Sequence, residues 1–411
     1  MNKTLLREYA RLAVRTGANV QKGQFVVIRA SVEMNEFAVT VAEEAYRAGA
    51  REVRIDWKCD AKTKLDYRHM SVKNLCEVHD WQEAKLSFDC DNLPAYINII
   101  SDDPDGLKGV SSDKMQKANV AYYKRLKSYY DRMDNKYQWT IVAAAGKAWA
   151  KKVFPGIRTS TAVEKLWDAI LSTVYVTPGS DPSAEWARHN ADFAAKCARL
   201  NAAKFDYLEY RSSNGTDFRC TLNPKVMWLG GGETLGDVYY NPNMPTEEIF
   251  TTPVAGKCEG TLVATKPLSL RGNLVEDFSV TFTDGRVTSV SAKKGEELLR
   301  KVIDSDDGAH MIGELALVPV ESPINRSGIL FYNTLFDENA ACHVALGAGF
   351  ANLLEGFESM TKEEQTAAGI NDSMIHVDFM IGCEDLDITG WKDGTPTRIF
   401  TSGTWDPDFL K

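Results

Sequence analysis

The sequence predicts an α/β N-terminal domain on a parallel sheet of βαβ units, followed by an α+β C-terminal domain whose sheet is largely antiparallel. Three observations carry this reading. Short β-branched runs alternate with helical stretches through the first half, a long helix ends near residue 200, and hairpin turn signals then replace the alternation.

The elements follow in order. Met1 to Gly17 carries Leu5, Leu6, Tyr9, Leu12 and Ala13 at helical spacing, which predicts an amphipathic helix and not a secretory leader. Phe25 to Ile28 reads as a buried strand. Glu36 to Ala48 has helical periodicity with Gly49 as its cap, and Arg51 to Trp57 alternates as the next strand. Strand, helix, strand implies a parallel pair. Ala95 to Ile100 and Tyr137 to Ala144 add two strands, separated by the loop Asp102 to Gly106 and a helix over Ser112 to Met133. Thr177 to Pro182 reads as a sharp turn before a helix over Ser183 to Ala203. Beyond it, Ser213-Asn214-Gly215 and Asp284-Gly285 lie between alternating runs as hairpin turns, and Gly230-Gly231-Gly232 is a further turn signal. The predicted domains are residues 1–200 and 201–411.

A chain of 411 residues with 44% hydrophobic and 26% charged residues buries a sizeable core and needs no structural metal to fold. A net charge of -9 excludes the basic footprint that nucleic acid or an anionic membrane requires. No stretch reaches the length of a membrane span. The eight cysteines are scattered with no C-x-x-C pair, which predicts free thiols in a reducing compartment and a cytoplasmic protein.

Six histidines allow each to be weighed. His69, His79, His189 and His310 sit among polar neighbours and read as surface or loop residues. His376 and Asp378 differ, because they point to one face of the apolar run Met374 to Gly382 while Ile375, Val377, Phe379 and Ile381 point to the other. Burying an imidazole and a carboxylate requires pairing or a metal, and this donor set suits zinc, cobalt or manganese. A satisfied His–Asp pair is the other reading. From Asn339 onward the chain looks helical, with His343, Gly347 and Phe350 on one face. A helix histidine in isolation is more often core or cap. Glu314 is a single carboxylate inside the apolar strand Met311 to Val320. Glu248 sits at the loop–strand junction of the proline-punctuated segment 241–251, and Glu247 and Glu248 together could equally belong to a solvated charged turn.

Four segments then stand out together. Asn-Pro-Asn-Met-Pro-Thr-Glu-Glu-Ile-Phe-Thr-Thr-Pro (241–253), Gly-Glu-Leu-Ala-Leu-Val-Pro (313–319), Asn-Thr-Leu-Phe-Asp-Glu-Asn-Ala-Ala-Cys-His (333–343) and Ile-His-Val-Asp-Phe-Met-Ile-Gly (375–382) closely resemble the M29 metallo-aminopeptidases. Weaker resemblance extends over the rest of the chain. The resemblance implies a homodimeric exopeptidase with two divalent metal ions, zinc, cobalt or manganese, acting on peptides with a free N-terminus. It implies Glu248, Glu314, His343, His376 and Asp378 as ligands. The family pattern places a tyrosine seven residues after the histidine of the third segment, where this chain has Phe350. Tyr332 is an alternative hydroxyl and Glu247 a candidate general base. Two rivals stand beside this reading. One is a single-iron ring-cleaving dioxygenase using His343, His376 and Asp378, and the other is a non-catalytic binding protein on the same scaffold.

Overall fold

The computed structural model describes residues 2–270 and 273–411. Met1, the first residue of the expected N-terminal helix, lies outside them. The chain divides into two compact units, Met1–Ala187 with Gly232–Pro245, and Arg188–Gly231 with Thr246–Lys411. The long helix Pro182–Ala203 contains the point where one gives way to the other.

The first unit is built on four parallel strands: β1 (Phe25–Ser31), β2 (Glu52–Lys58), β3 (Ala95–Ile100) and β4 (Trp139–Ala143), in the order β2-β1-β3-β4. Val26, Val27 and Ile28 are buried together, as expected of a strand covered on both faces. The first helix, Lys3–Leu12, is capped by the Asn2 side chain on the Thr4 N–H and continues into a π turn over Ala13–Gly17. Asn35–Ala48 ends at Gly49, whose φ of 100° is open to glycine at no steric cost. The expected helix over Ser112–Met133 forms with those bounds, its first turn closed by the Ser111 hydroxyl. Asp89 is buried but satisfied, accepting a forked pair from Arg54 at 2.9 and 2.8 Å and the Tyr96 hydroxyl at 2.8 Å.

Among the described residues, the second unit carries two antiparallel sheets, one of nine strands and one of five. In the larger sheet, Phe218, Cys220 and Leu222 are buried while Asp217 and Arg219 are exposed, the alternation of a sheet with one wet face. Asp284 and Gly285, with φ of 50° and 75°, turn the hairpin between Asn273–Thr283 and Arg286–Lys294. Residues of both sheets, among them Leu208, Phe278, Leu315, Val344 and Phe379, share one hydrophobic core.

Three expectations are corrected. The stretch from His343 to Gly347 is a β-strand, not a helix. All five of its residues are buried, and a short strand buried on both faces has a continuous apolar run that periodicity does not separate from a helix. Cys220 and Cys258 are not free thiols. They stand directly opposite each other on neighbouring strands of the large sheet and are joined by a disulfide, while the remaining six cysteines are free. Their separation of 38 residues gave no local sign of that pairing. His189 is not a surface residue: it lies on the helix Pro182–Ala203, half-buried, with its ring edge-on to Phe193 at 4.4 Å.

Candidate metal centre

The five-stranded sheet builds the site. In order across it lie His376–Met380, His343–Gly347, Ile312–Leu317, Ile249–Thr251 and Leu229–Gly230. Register decides which side chains meet. Ala345 pairs with both Glu314 and Asp378, Gly347 pairs with His376, and Ala316 pairs with both His343 and Phe250. Residues opposite each other in an antiparallel pair share a face. Glu314, His343, His376 and Asp378 therefore project to one side, and alternation from Phe250 brings Glu248 to the same side. Ala316, Ala345 and Gly347 supply the small side chains that leave room between them. Ile249, Leu315, Leu317, Val344, Leu346, Val377 and Phe379 fill the opposite face and pack into the core. Gly230 allows the edge strand to approach Glu248, because a Cβ there would stand 2.6 Å from the Glu248 carbonyl oxygen.

Two groups of possible ligand atoms result, Glu248 with Glu314 and His343, and Glu314 with His376 and Asp378. Glu314 belongs to both. Within each group the atoms lie within 4.8 Å of one another. His343 Nε2 is 3.0 Å from a Glu248 oxygen. His376 Nε2 is 2.9 Å from Glu314 and 3.3 Å from Asp378. Each imidazole places Nδ1 on a backbone carbonyl, His343 on Ala341 at 3.1 Å and His376 on Ala348 at 2.8 Å. An Nδ1–H donated there fixes the tautomer and leaves the Nε2 lone pair for the cluster. Two imidazoles held this way among carboxylate oxygens fit a divalent metal of zinc or cobalt type.

Buried charge is heavily perturbed here. Burial pushes the Glu314 carboxyl up to about 7 against the opposing His376 hydrogen bond, with the Asp378 and Glu248 charges adding to the rise. Burial disfavours the His343 imidazolium, but the Glu248 carboxylate overrides it and raises the pKa to about 9. His376 likewise rises to about 11 against burial, through Asp378 and Glu314. Burial pushes the Asp378 carboxyl up, but the His376 hydrogen bond together with the His376 and His343 charges holds it below its ordinary value. Perturbation of this kind, together with converging donors, marks a functional site.

The sequence reading missed one member. Glu338 faces the cluster, and burial followed by the Glu248, Asp378 and Glu314 charges pushes its carboxyl well above the ordinary range. Its signal was a carboxylate five positions before His343, just ahead of the stretch expected to be helical from Asn339 onward. Phe350 does lie beside the site, though a strand and turn take it there. Its N–H donates to Thr252 Oγ1 at 2.8 Å, and its ring centroid is 5.0 Å from that of His376 and 5.3 Å from that of Phe250. Glu247 is buried, and its N–H donates to the Asn339 side chain at 2.6 Å. Tyr332 has a φ of 55°, and Asp337 accepts the N–H groups on either side of it, from Phe331 at 2.7 Å and Asn333 at 2.9 Å. His69 and His79 are exposed as expected, and His310 lies 3.6 Å from Asp304.

Comparison with known proteins places the chain among metalloproteases. The family model of the thermophilic metalloproteases (M29) matches residues 2–405. The aminopeptidase AmpS of Bacillus subtilis (strain 168) is 40% identical over 403 residues, covering 97% of this chain and 98% of that protein. Aminopeptidase T of Thermus thermophilus is 38% identical, with 98% of each covered. The structure of wild-type AmpT from Thermus thermophilus superposes with a TM-score of 0.90 at 36% identity, over 98% of this chain and 99% of that one. A 2,5-dihydroxypyridine dioxygenase from Pseudomonas putida KT2440 has a TM-score of 0.53 at 13% identity, over 100% of this chain and 99% of that one, which is a likeness of fold alone.

Proposed function

The chain belongs to the M29 family of thermophilic metalloproteases, and from that premise we propose that it is a metal-dependent aminopeptidase working with two divalent ions. The observation that carries the two-metal reading is the membership of Glu314 in both ligand groups. Glu248 and His343 would hold one ion, His376 and Asp378 the other, and Glu314 would bridge them. Four carboxylates converge when Glu338 is counted, the charge that two divalent cations neutralise.

Bound there, such ions lower the pKa of water to near neutral and polarise a carbonyl oxygen. The chain's own groups do the rest. The strand face fixes the ligands on a rigid support, with Nδ1 of each histidine tied to backbone. Glu338, held protonated by burial and the neighbouring carboxylate charges, would ionise once bound cations offset those charges, and would then accept the proton of the attacking water and return it to the leaving amine. The sequence candidate for that base is Glu247, and the two are separable by mutation. The free α-amino group of the peptide, cationic or metal-bound, would be the handle that favours cleavage at the N-terminus.

Elemental analysis and a pair of peptides test this. The expected result is two zinc-class ions per chain, release of N-terminal residues from an unblocked peptide, and very slow release from its N-acetylated counterpart. One iron per chain would instead support the ring-cleaving dioxygenase, and equal cleavage of both peptides would end the exopeptidase reading.

A further inference from the structure

The peptide group between Thr246 and Glu247 is held at both ends by side chains from distant parts of the second unit. Its carbonyl oxygen lies 2.8 Å from His189 Nε2, on the helix Pro182–Ala203. Its N–H donates to Asn339 Oδ1 at 2.6 Å, in the turn that follows Glu338. Thr246, Glu247 and Asn339 are all buried. We propose that His189 and Asn339 are positioning residues that clamp this one peptide plane and thereby set the direction from which Glu248 enters the metal centre. The proposal rests on the assignment of Glu248 as a ligand.

A peptide group is planar, so fixing its C=O and N–H together fixes the orientation of the whole unit. Only three backbone dihedrals, φ and ψ of Glu247 and φ of Glu248, and the side-chain torsions then separate it from the Glu248 carboxylate. A carbonyl partner requires that His189 carry its proton on Nε2, in the neutral ring as in the charged one. The ring is steadied by its edge-on contact with Phe193. Asn339 is in turn anchored, its Nδ2 donating to the Leu335 carbonyl at 3.0 Å and its own carbonyl accepting the Ser322 hydroxyl at 2.6 Å. Asn339 directly follows Glu338 in the chain. The clamp therefore ties the Glu248 segment to the Glu338 turn, so that two of the four carboxylates move together or not at all. Neither clamping side chain belongs to the ligand groups themselves. Partners that orient a metal ligand are worth about 10–100-fold in metal affinity.

Cobalt binding to the full chain tests the clamp without reference to turnover. Co²⁺ affinity is measured by competition with a chelator, and the visible absorption of the bound ion reports its coordination. His189→Ala and Asn339→Ala should each weaken binding of Co²⁺ by about 10–100-fold and alter the visible bands. His189→Gln, which keeps an N–H donor, should restore most of the affinity. The double variant should be no weaker than the weaker single one, because both act through one peptide group. The clamp is overturned if folded His189→Ala keeps the wild-type affinity and spectrum, if His189→Gln is as damaging as His189→Ala, or if the two losses simply add. Should His189→Ala not fold, His189→Leu refills the space against Phe193 while removing the same donor, and its affinity relative to His189→Gln decides the matter. Glu248→Gln is the control for the underlying assignment. If that variant binds Co²⁺ as tightly as wild type, the ligand assignment fails and the clamp with it. If it binds weakly while the His189 and Asn339 variants bind normally, the clamp alone fails.

Discussion

At the scale of single residues, two positions separate the roles within the site. Glu338 stands among carboxylates but outside the two ligand groups. Glu338→Gln should keep its metals and lose about 10²–10⁴-fold in kcat, the usual worth of a positioned general base, whereas Glu247→Gln should stay within a few-fold of wild type. Metal loss in Glu338→Gln would show that it is a ligand, and the opposite ranking of the two variants would return the base to Glu247. Phe350 is the second position. Its ring already touches His376, so a phenol there would bring a hydroxyl beside the metal ligands, where it finds polar partners. Such a donor to the developing oxyanion is worth up to about 3 kcal/mol, or roughly a hundredfold in rate. An unsatisfied buried hydroxyl would cost about 1–3 kcal/mol of stability. Phe350→Tyr should therefore raise kcat with little change in the unfolding midpoint, and a folded, metal-loaded variant with equal or lower kcat would place the oxyanion donor elsewhere, with Tyr332 next to examine.

At the scale of elements, the candidate site depends on what the strands of the five-stranded sheet leave out. The edge strand reaches Glu248 only because residue 230 is glycine. A Cβ would meet the Glu248 carbonyl oxygen at 2.6 Å and Ile249 Cα at 3.2 Å, both main-chain atoms with no rotamer to yield. Gly230→Ala should cost about 1–3 kcal/mol of stability, as overpacking in a tight interior does, and should weaken metal binding as well because the shifted backbone carries Glu248. Thermal unfolding and a metal titration of the same preparation would check both effects. An unaltered midpoint would mean that the edge strand can move without disturbing its neighbour.

At the scale of the whole molecule, metal and proton compete for the same imidazoles. In the metal-free protein His343 and His376 are raised to about 9 and about 11 from an ordinary value of 6.5. Their protonated forms stabilise the fold, fully so below about pH 6.5, and the contribution is lost as pH rises through about 9 for His343 and about 11 for His376. Metal requires both rings neutral, so loading releases protons and affinity grows with pH over the same interval, by as much as about two log units per pH unit. A site filled at a thousand times its Kd adds about 4 kcal/mol to stability. The gap in unfolding midpoint between metal-loaded and chelator-treated protein should therefore widen from pH 6.5 to pH 9. A gap that narrows with pH would contradict the assignment of these histidines as ligands.

The sequence by itself determined the parallel first sheet and the antiparallel second half, and its resemblance to the M29 family offered the five proposed ligands. Those signals are local. A βαβ unit is written in consecutive segments, and Glu314, His376 and Asp378 betray themselves as polar side chains on otherwise apolar strands. Tertiary structure alone decided the rest. It made a strand of His343–Gly347, since burial on both faces erases the period that tells strand from helix. It gave Glu314 to both ligand groups, paired Cys220 with Cys258, turned Glu338 inward and set His189 and Asn339 on one peptide group. Each of these follows from strand register or from contacts between segments far apart in the chain, and cross-strand register is fixed by the packing of the whole sheet rather than by the residues at either end of a single contact.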